Sequence, residues 1–197
     1  MSKEKRQIEK KDLIPSDIYV VNRKKIRKDL VEFKKDRRIA LGPYATFYFE
    51  SFETMLAQVQ EMLYIEKGGD EQLSDELIAY NPLVPNGKEL TATLMFEIDN
   101  PVSRAAFLEK VGGIEEKVFM KIDNEKIIAS PEKDVDRTSA KGKASSVQFI
   151  HFKLNDNQID KFKSGSLSIE LGIEHKEYAH STKLTEENIK SLTADFI

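Results

Sequence analysis

The chain has 197 residues, 40% of them hydrophobic, a formal charge of −3 and no cysteine. That length and apolar content suit one self-sufficient domain over residues 1–197. The missing thiols exclude disulfides, thiolate metal sites, cysteine-ligated clusters and cysteine nucleophiles.

The charged start Met1-Ser2-Lys3-Glu4-Lys5-Arg6 is followed by no apolar core of signal-peptide length. No run approaches the ~18 apolar residues of a membrane span, so a cytoplasmic location is expected. Residues 1–38 hold 14 Lys and Arg against 7 Asp and Glu, whereas the remainder holds 17 against 27. The basic segment either seeks nucleic acid or lies against its own acidic body.

Residues 1–12 are polar and read as frayed. Pro15-Ser16-Asp17 offers a helix start, and Ile26, Leu30 and Phe33 recur at helical spacing within Asn22–Asp36, among Lys24, Lys25, Lys28 and Lys35. Gly42-Pro43 turns the chain between two short strands, Arg38–Leu41 and Ala45–Glu50. Over Phe52–Glu66, the residues Phe52, Met55, Leu56, Val59, Met62 and Leu63 share one arc of a helix; Glu66 falls inside that arc, Gln60 on its flank and Glu61 nearly opposite. Gly68-Gly69 closes this element. A short helix, Ser74–Tyr80, ends where Asn81 precedes Pro82, because proline pushes the residue before it out of helical geometry.

Further along, the pattern predicts strand Leu90–Ile98, helix Pro101–Gly112, strand Lys117–Ile122 turning at Asp123-Asn124 into Lys126–Ala129, and strand Ser145–Leu154. Helix Asp156–Lys163, strand Ser166–Glu174 and helix Thr185–Ala194 follow. Residues 130–143 form a polar run without periodicity, read as a mobile loop. The sum is an α+β protein with a mainly antiparallel sheet and helices on one face. Its C-terminal part is ferredoxin-like (split βαβ), with N-terminal helices and a hairpin added.

The segments Arg38-Ile39-Ala40-Leu41-Gly42-Pro43, Val59-Gln60-Glu61-Met62-Leu63 with Ile65-Glu66, Ala79-Tyr80-Asn81-Pro82-Leu83-Val84-Pro85, Ala92-Thr93-Leu94-Met95 and Gly172–Tyr178 with His175 together resemble a bacterial family known as domain of unknown function 3501. The resemblance spans nearly the whole chain. It implies a cytosolic protein of unassigned activity, often encoded beside a rubrerythrin-type protein and an iron–sulfur oxidoreductase, in a setting of peroxide or iron stress. It supplies no catalytic residues.

Alternation sorts the strand residues by face. One set is apolar: Phe47, Phe49, Ala92, Leu94, Phe96, Ile98, Leu167, Ile169, Leu171 and Ile173. The other is polar and acidic: Thr46, Tyr48, Glu50, Thr91, Thr93, Glu97, Glu170 and Glu174. If the strands share a sheet, the second set forms an acidic surface that is either plain solvated sheet, a recognition face, or a seat for the basic N-terminal helix.

Three functions fit these residues. The first is an accessory or binding protein, a homodimer using Gln60, Glu61 and Tyr80 as an interface or ligand-binding surface. The second is a metal-binding protein or metal-dependent enzyme holding iron or zinc through Glu66, Glu97, His151 and His175, since imidazole and carboxylate suit both ions. Glu66, on the apolar stripe, is expected to be held protonated by partial burial. The third is nucleic-acid binding through Lys24, Lys25 and Lys28 of the basic N-terminal helix. Gly142-Lys143 lacks the flanking residues of a phosphate loop, and Ser139, Ser145 and Ser146 form no nucleophile motif. Whether the chain is an enzyme stays open at this level.

Overall fold

In the computed structural model, which describes residues 6–132 and 142–197, the chain forms an α+β protein built on two antiparallel sheets. The first sheet runs in the order β1 (Arg38–Leu41), β2 (Ala45–Phe49), β3 (Glu89–Phe96), β7 (Val147–Lys153) and β6 (Ser130–Pro131). The second contains β5 (Glu125–Ile128), β4 (Val118–Ile122), β8 (Ile169–His175) and β9 (Tyr178–Lys183). Among the described residues six α-helices accompany them: α1 (Ser16–Lys34), α2 (Phe52–Glu66), α3 (Gly69–Tyr80), α4 (Pro101–Lys110), α5 (Asp156–Ser164) and α6 (Glu186–Thr193).

The apolar parity of both sheets feeds one core. Phe47, Phe49, Leu90, Ala92, Leu94 and Phe96 from the first sheet belong to the same buried cluster as Met120, Ile122, Ile169, Leu171 and Ile173 from the second. Helices α5 and α6 add Ile159, Phe162, Ile189 and Leu192. Each of the larger side chains among them contributes about 1.5–3 kcal/mol by leaving water. The polar parity fares differently, because β3 and β8 lie in different sheets. The acidic surface imagined from alternation therefore does not form. Glu50 is buried, accepting from Thr93 Oγ1 at 2.7 Å and Thr54 Oγ1 at 2.6 Å, while Glu170 and Glu174 stand on the second sheet, Glu174 paired with Lys126.

A second, smaller core holds Phe52, Met55 and Val59 of α2 with Leu73 of α3, Leu83, Val84 and Ile8. Ile8 corrects the expectation of a frayed start: it is 1% exposed, and Asn81 clamps its backbone, accepting from the Ile8 N–H at 2.7 Å and donating to its carbonyl at 3.2 Å. Residues 1–5 lie outside the described residues, as do 133–141 of the predicted loop. The flanks of that loop are built in, since Ser130 and Pro131 pair with His151 and Ile150.

Local signals explain most element ends. Ser51 Oγ accepts from the Thr54 N–H while Thr54 Oγ1 accepts from the Ser51 N–H, a reciprocal cap that fixes the start of α2. Lys67, at φ 56°, stops it. Helix α3 begins five residues before the predicted Ser74, with Asp70 and Glu71 in its first turn where the helix dipole favours acid. Strand β9 was missed altogether, and the reason is physical: Ala179, His180 and Ser181 are exposed, so no apolar alternation marks it.

Arg37 ties the two ends of the chain together. It is 1% exposed, donates from Nε to the Phe49 carbonyl at 3.0 Å, from Nη1 to the Ser191 carbonyl at 3.2 Å and from Nη2 to the Glu50 carbonyl at 2.7 Å, and pairs with Asp195. Burial pushes the Asp195 carboxyl up to about 6, against the opposing pull of the Arg37 cation.

Candidate ligand site

The residues singled out from the sequence are placed far apart and are mostly spent on internal bonds. Glu66 is exposed at the end of α2, where it accepts from Gln72 Nε2 at 3.1 Å; it is not the buried acid that periodicity suggested, because the helix runs out of cover there. Glu97 accepts from Thr46 Oγ1 at 2.5 Å, Tyr48 Oη at 2.7 Å and Arg38 Nη2 at 3.3 Å. Those donors, Thr46 first, hold its carboxyl below the usual range. His175 belongs to the second sheet and accepts at Nδ1 from the Glu177 N–H at 3.2 Å.

His151 lies opposite Thr91 on β3, six residues before Glu97 and so ~20 Å away along the strand. The four proposed metal ligands therefore do not converge. Among the described residues no group of three or more His, Asp or Glu side chains could hold a metal ion. His151 itself sits between two carboxylates, Nδ1 3.3 Å from Glu89 Oε2 and Nε2 2.8 Å from Glu132 Oε2. Both ring nitrogens are engaged, which leaves no lone pair for a cation. Burial opposes the charged ring, but the bonds to Glu89 and Glu132 prevail and raise its pKa above the ordinary histidine value.

The proposed interface residues are likewise used within the chain. Gln60 is 6% exposed and brackets Ile14, accepting from its N–H at 2.8 Å and donating to its carbonyl at 3.1 Å. Glu61 receives Tyr19 Oη at 2.7 Å and Arg23 through Nε at 3.0 Å and through Nη2, so it anchors the basic helix α1 onto α2. Arg23 above all holds the Glu61 carboxyl below the usual range. Tyr80 Oη accepts from Gln58 Nε2 at 3.3 Å. The apolar groove of about 450 Å³ between α1 and α2 has Gln60 and Asp29 in its lining, and both are already bonded, to Ile14 and Lys25.

A different picture holds where the β1–β2 turn meets the β8–β9 hairpin and α4. Here a cavity of about 380 Å³ is lined by Pro43, Tyr44, Ile98, Ser103, Ala106, Phe107, Lys110, Glu177, Tyr178 and His180. Such a volume lies within the range of small-molecule sites. Tyr178 organises it. Its hydroxyl donates to the Leu41 carbonyl at 2.5 Å and accepts from the N–H groups of Tyr44 at 3.1 Å and Ala45 at 3.0 Å, so one side chain satisfies the whole turn. Burial raises its pKa, with these two backbone donors pulling the other way.

Gly42 permits this closeness. It sits at φ 63°, and a Cβ there would stand 2.6 Å from the His180 ring and 2.8 Å from Tyr178 Oη. The Gly42-Pro43 turn was legible in the sequence; the hairpin it receives was not.

Three rings floor the cavity. Tyr44 stacks on Tyr178 with centroids 6.2 Å apart, and Phe107 meets both edge-on, at 5.2 Å from Tyr44 and 5.6 Å from Tyr178. Around them stand the Ser103 hydroxyl, the Lys110 ammonium, the Glu177 carboxylate and the His180 imidazole. Among the described residues none of these four side chains makes a hydrogen bond or ion pair. The site candidates drawn from the sequence include none of them.

Fold and cavity together define an α+β protein of two packed antiparallel sheets with an aromatic-floored pocket at their shared end. The family described as "Protein of unknown function (DUF3501)" matches residues 7–196, and the chain belongs to it. The structure is similar to a crystal structure, at 1.90 Å resolution, of a protein of unknown function from Burkholderia pseudomallei K96243. That likeness has a TM-score of 0.90 and 32% identity over 97% of this chain and 100% of the other. No curated protein matches the chain. No helix among the described residues is long and apolar enough to cross a membrane.

Proposed function

We propose that the chain is an accessory binding protein whose ligand site is the pocket at the Gly42-Pro43 turn. One observation carries this reading: four polar side chains that make no hydrogen bond or ion pair among the described residues surround an aromatic floor, whereas the residues first suspected of function are consumed by the fold. Small-molecule sites combine such walls with a few convergent polar groups. Among the described residues no hydrogen bond joins Ser103, Lys110 or Tyr178 to Glu177 or His180, and binding accounts for the geometry without a reaction.

The rubrerythrin-type and iron–sulfur partners implied by the family resemblance are the proposed setting, and anaerobic co-purification tests them separately. The ligand reading is tested by amide-detected nuclear magnetic resonance with a panel of small acids, amines and neutral ring compounds. Shifts confined to Tyr44, Phe107, Tyr178 and His180 for at least one class are expected. Silence of those amides across the panel would refute it.

A further inference from the structure

We infer that this pocket takes a planar aromatic carboxylate, a class that rests on the ligand-site reading above. Tyr44 is 41% exposed although it packs against both Tyr178 and Phe107, so part of this ring cluster stays accessible at the cavity. A ligand ring extends that cluster, gaining the offset or edge-on contacts that aromatic groups favour. Pro43, Ile98 and Ala106 supply apolar walls beside it. A saturated or branched ligand would not make those ring contacts.

Charge selects the substituent. Lys110, His180 and Ser103 bring donors to the rim, and Glu177 is the one carboxylate among the lining residues. Because Lys110 has no ion-pair partner among the described residues, an incoming carboxylate gains a charge-assisted bond without breaking an existing one. Glu177 then serves as acceptor for a hydroxyl or N–H elsewhere on the ligand. The rim thus suits an aromatic acid that also carries a donor.

The inference is tested by calorimetric titration of the full chain with para-hydroxybenzoate, its neutral isostere para-hydroxybenzamide, and the saturated analogue 4-hydroxycyclohexanecarboxylate. The aromatic acid is expected to bind, with the amide and the saturated acid each weaker by about fivefold or more. Lys110→Met and, as an independent variant, His180→Asn should each weaken the acid to a similar degree. Both positions are exposed, and circular dichroism should report an unchanged fold.

Equal binding of the amide would overturn the preference for an anion, and equal binding of the saturated acid would overturn the preference for a planar ring. Unchanged affinity in both variants would place the acid elsewhere and overturn the assignment. If para-hydroxybenzoate gives no heat while another class shifts the Tyr44 and Phe107 amides, the ligand class fails and the pocket reading stands. If no class shifts them, both fail.

Discussion

His151 and His180 mark two regions of the same protein that handle polar groups in opposite ways. Around His151 every imidazole nitrogen has a carboxylate, one from β3 and one from the segment after β6, and the cluster is closed. Around His180 the side chains of Ser103, Lys110, Glu177 and His180 line a cavity and make no hydrogen bond or ion pair among the described residues, although the His180 ring packs edge-on against Tyr178 at 4.5 Å. A closed cluster stabilises the fold because its charges are already matched, and truncating one member strands another. An open cluster keeps its interaction energy for something outside the chain. Substitutions should therefore separate the two regions by readout: stability for the closed one, binding for the open one.

The largest expected effect comes from the most closed cluster of all, the Arg37–Asp195 pair. Arg37→Met removes the donors of three carbonyls and leaves Asp195 buried without its cation, which should cost about 3–5 kcal/mol in urea unfolding. The Asp195 pKa in the folded protein is raised to about 6 from its ordinary 3.8. The contribution of that raised pKa is thus fully present below the unfolded value and is lost as pH rises through 6. The Arg37→Met defect should accordingly be greatest at neutral pH and shrink on acidification, as Asp195 takes up a proton.

Next come the residues that build the open pocket without being part of its rim. Gly42→Ala forces a side chain into a left-handed backbone and onto the His180 ring, with an expected loss of about 1–3 kcal/mol and of ligand binding together. Tyr178→Phe leaves the Tyr44 and Ala45 N–H groups and the Leu41 carbonyl without their shared partner; a loss of about 1–3 kcal/mol should appear as a lower melting temperature.

A pH-dependent test then sharpens the comparison at His151. Its folded pKa lies above the ordinary histidine value, so its stabilising contribution is fully present below about 6.5 and is lost as pH rises through the folded value. The stability difference between the parent and His151→Gln should be widest on the acid side of that window and narrow above it, as read from denaturation midpoints. A constant difference would show that the two carboxylates do not hold a charged ring.

How far these regions were legible in the sequence depends on the range of the interactions that make them. Helix α2 was read with its true bounds, because its apolar arc is a local signal. The Gly42-Pro43 turn was read for the same reason. Alternation placed strand side chains on opposite faces, but it contains no information about which strands share a sheet, and the imagined acidic surface failed on that point. Arg37 looked like one more charge in a basic run, since its partner Asp195 lies 158 residues away. Glu89 and Glu132 were likewise invisible as partners of His151, although the histidine itself had been noticed. Strand β9 escaped because an exposed edge strand needs no apolar pattern, and with it went the one element that completes the pocket.

The smallest expected effect on stability is also the most telling. The double variant Lys110→Met with His180→Asn should lose no more than about 1 kcal/mol, because both positions are exposed and the contact given up is the edge-on packing of His180 on Tyr178. In the same sample the response of the Tyr44 and Phe107 amides to an aromatic acid should disappear. Lost stability with an undiminished ligand response would contradict the account, because it would make the rim structural and the pocket empty of purpose.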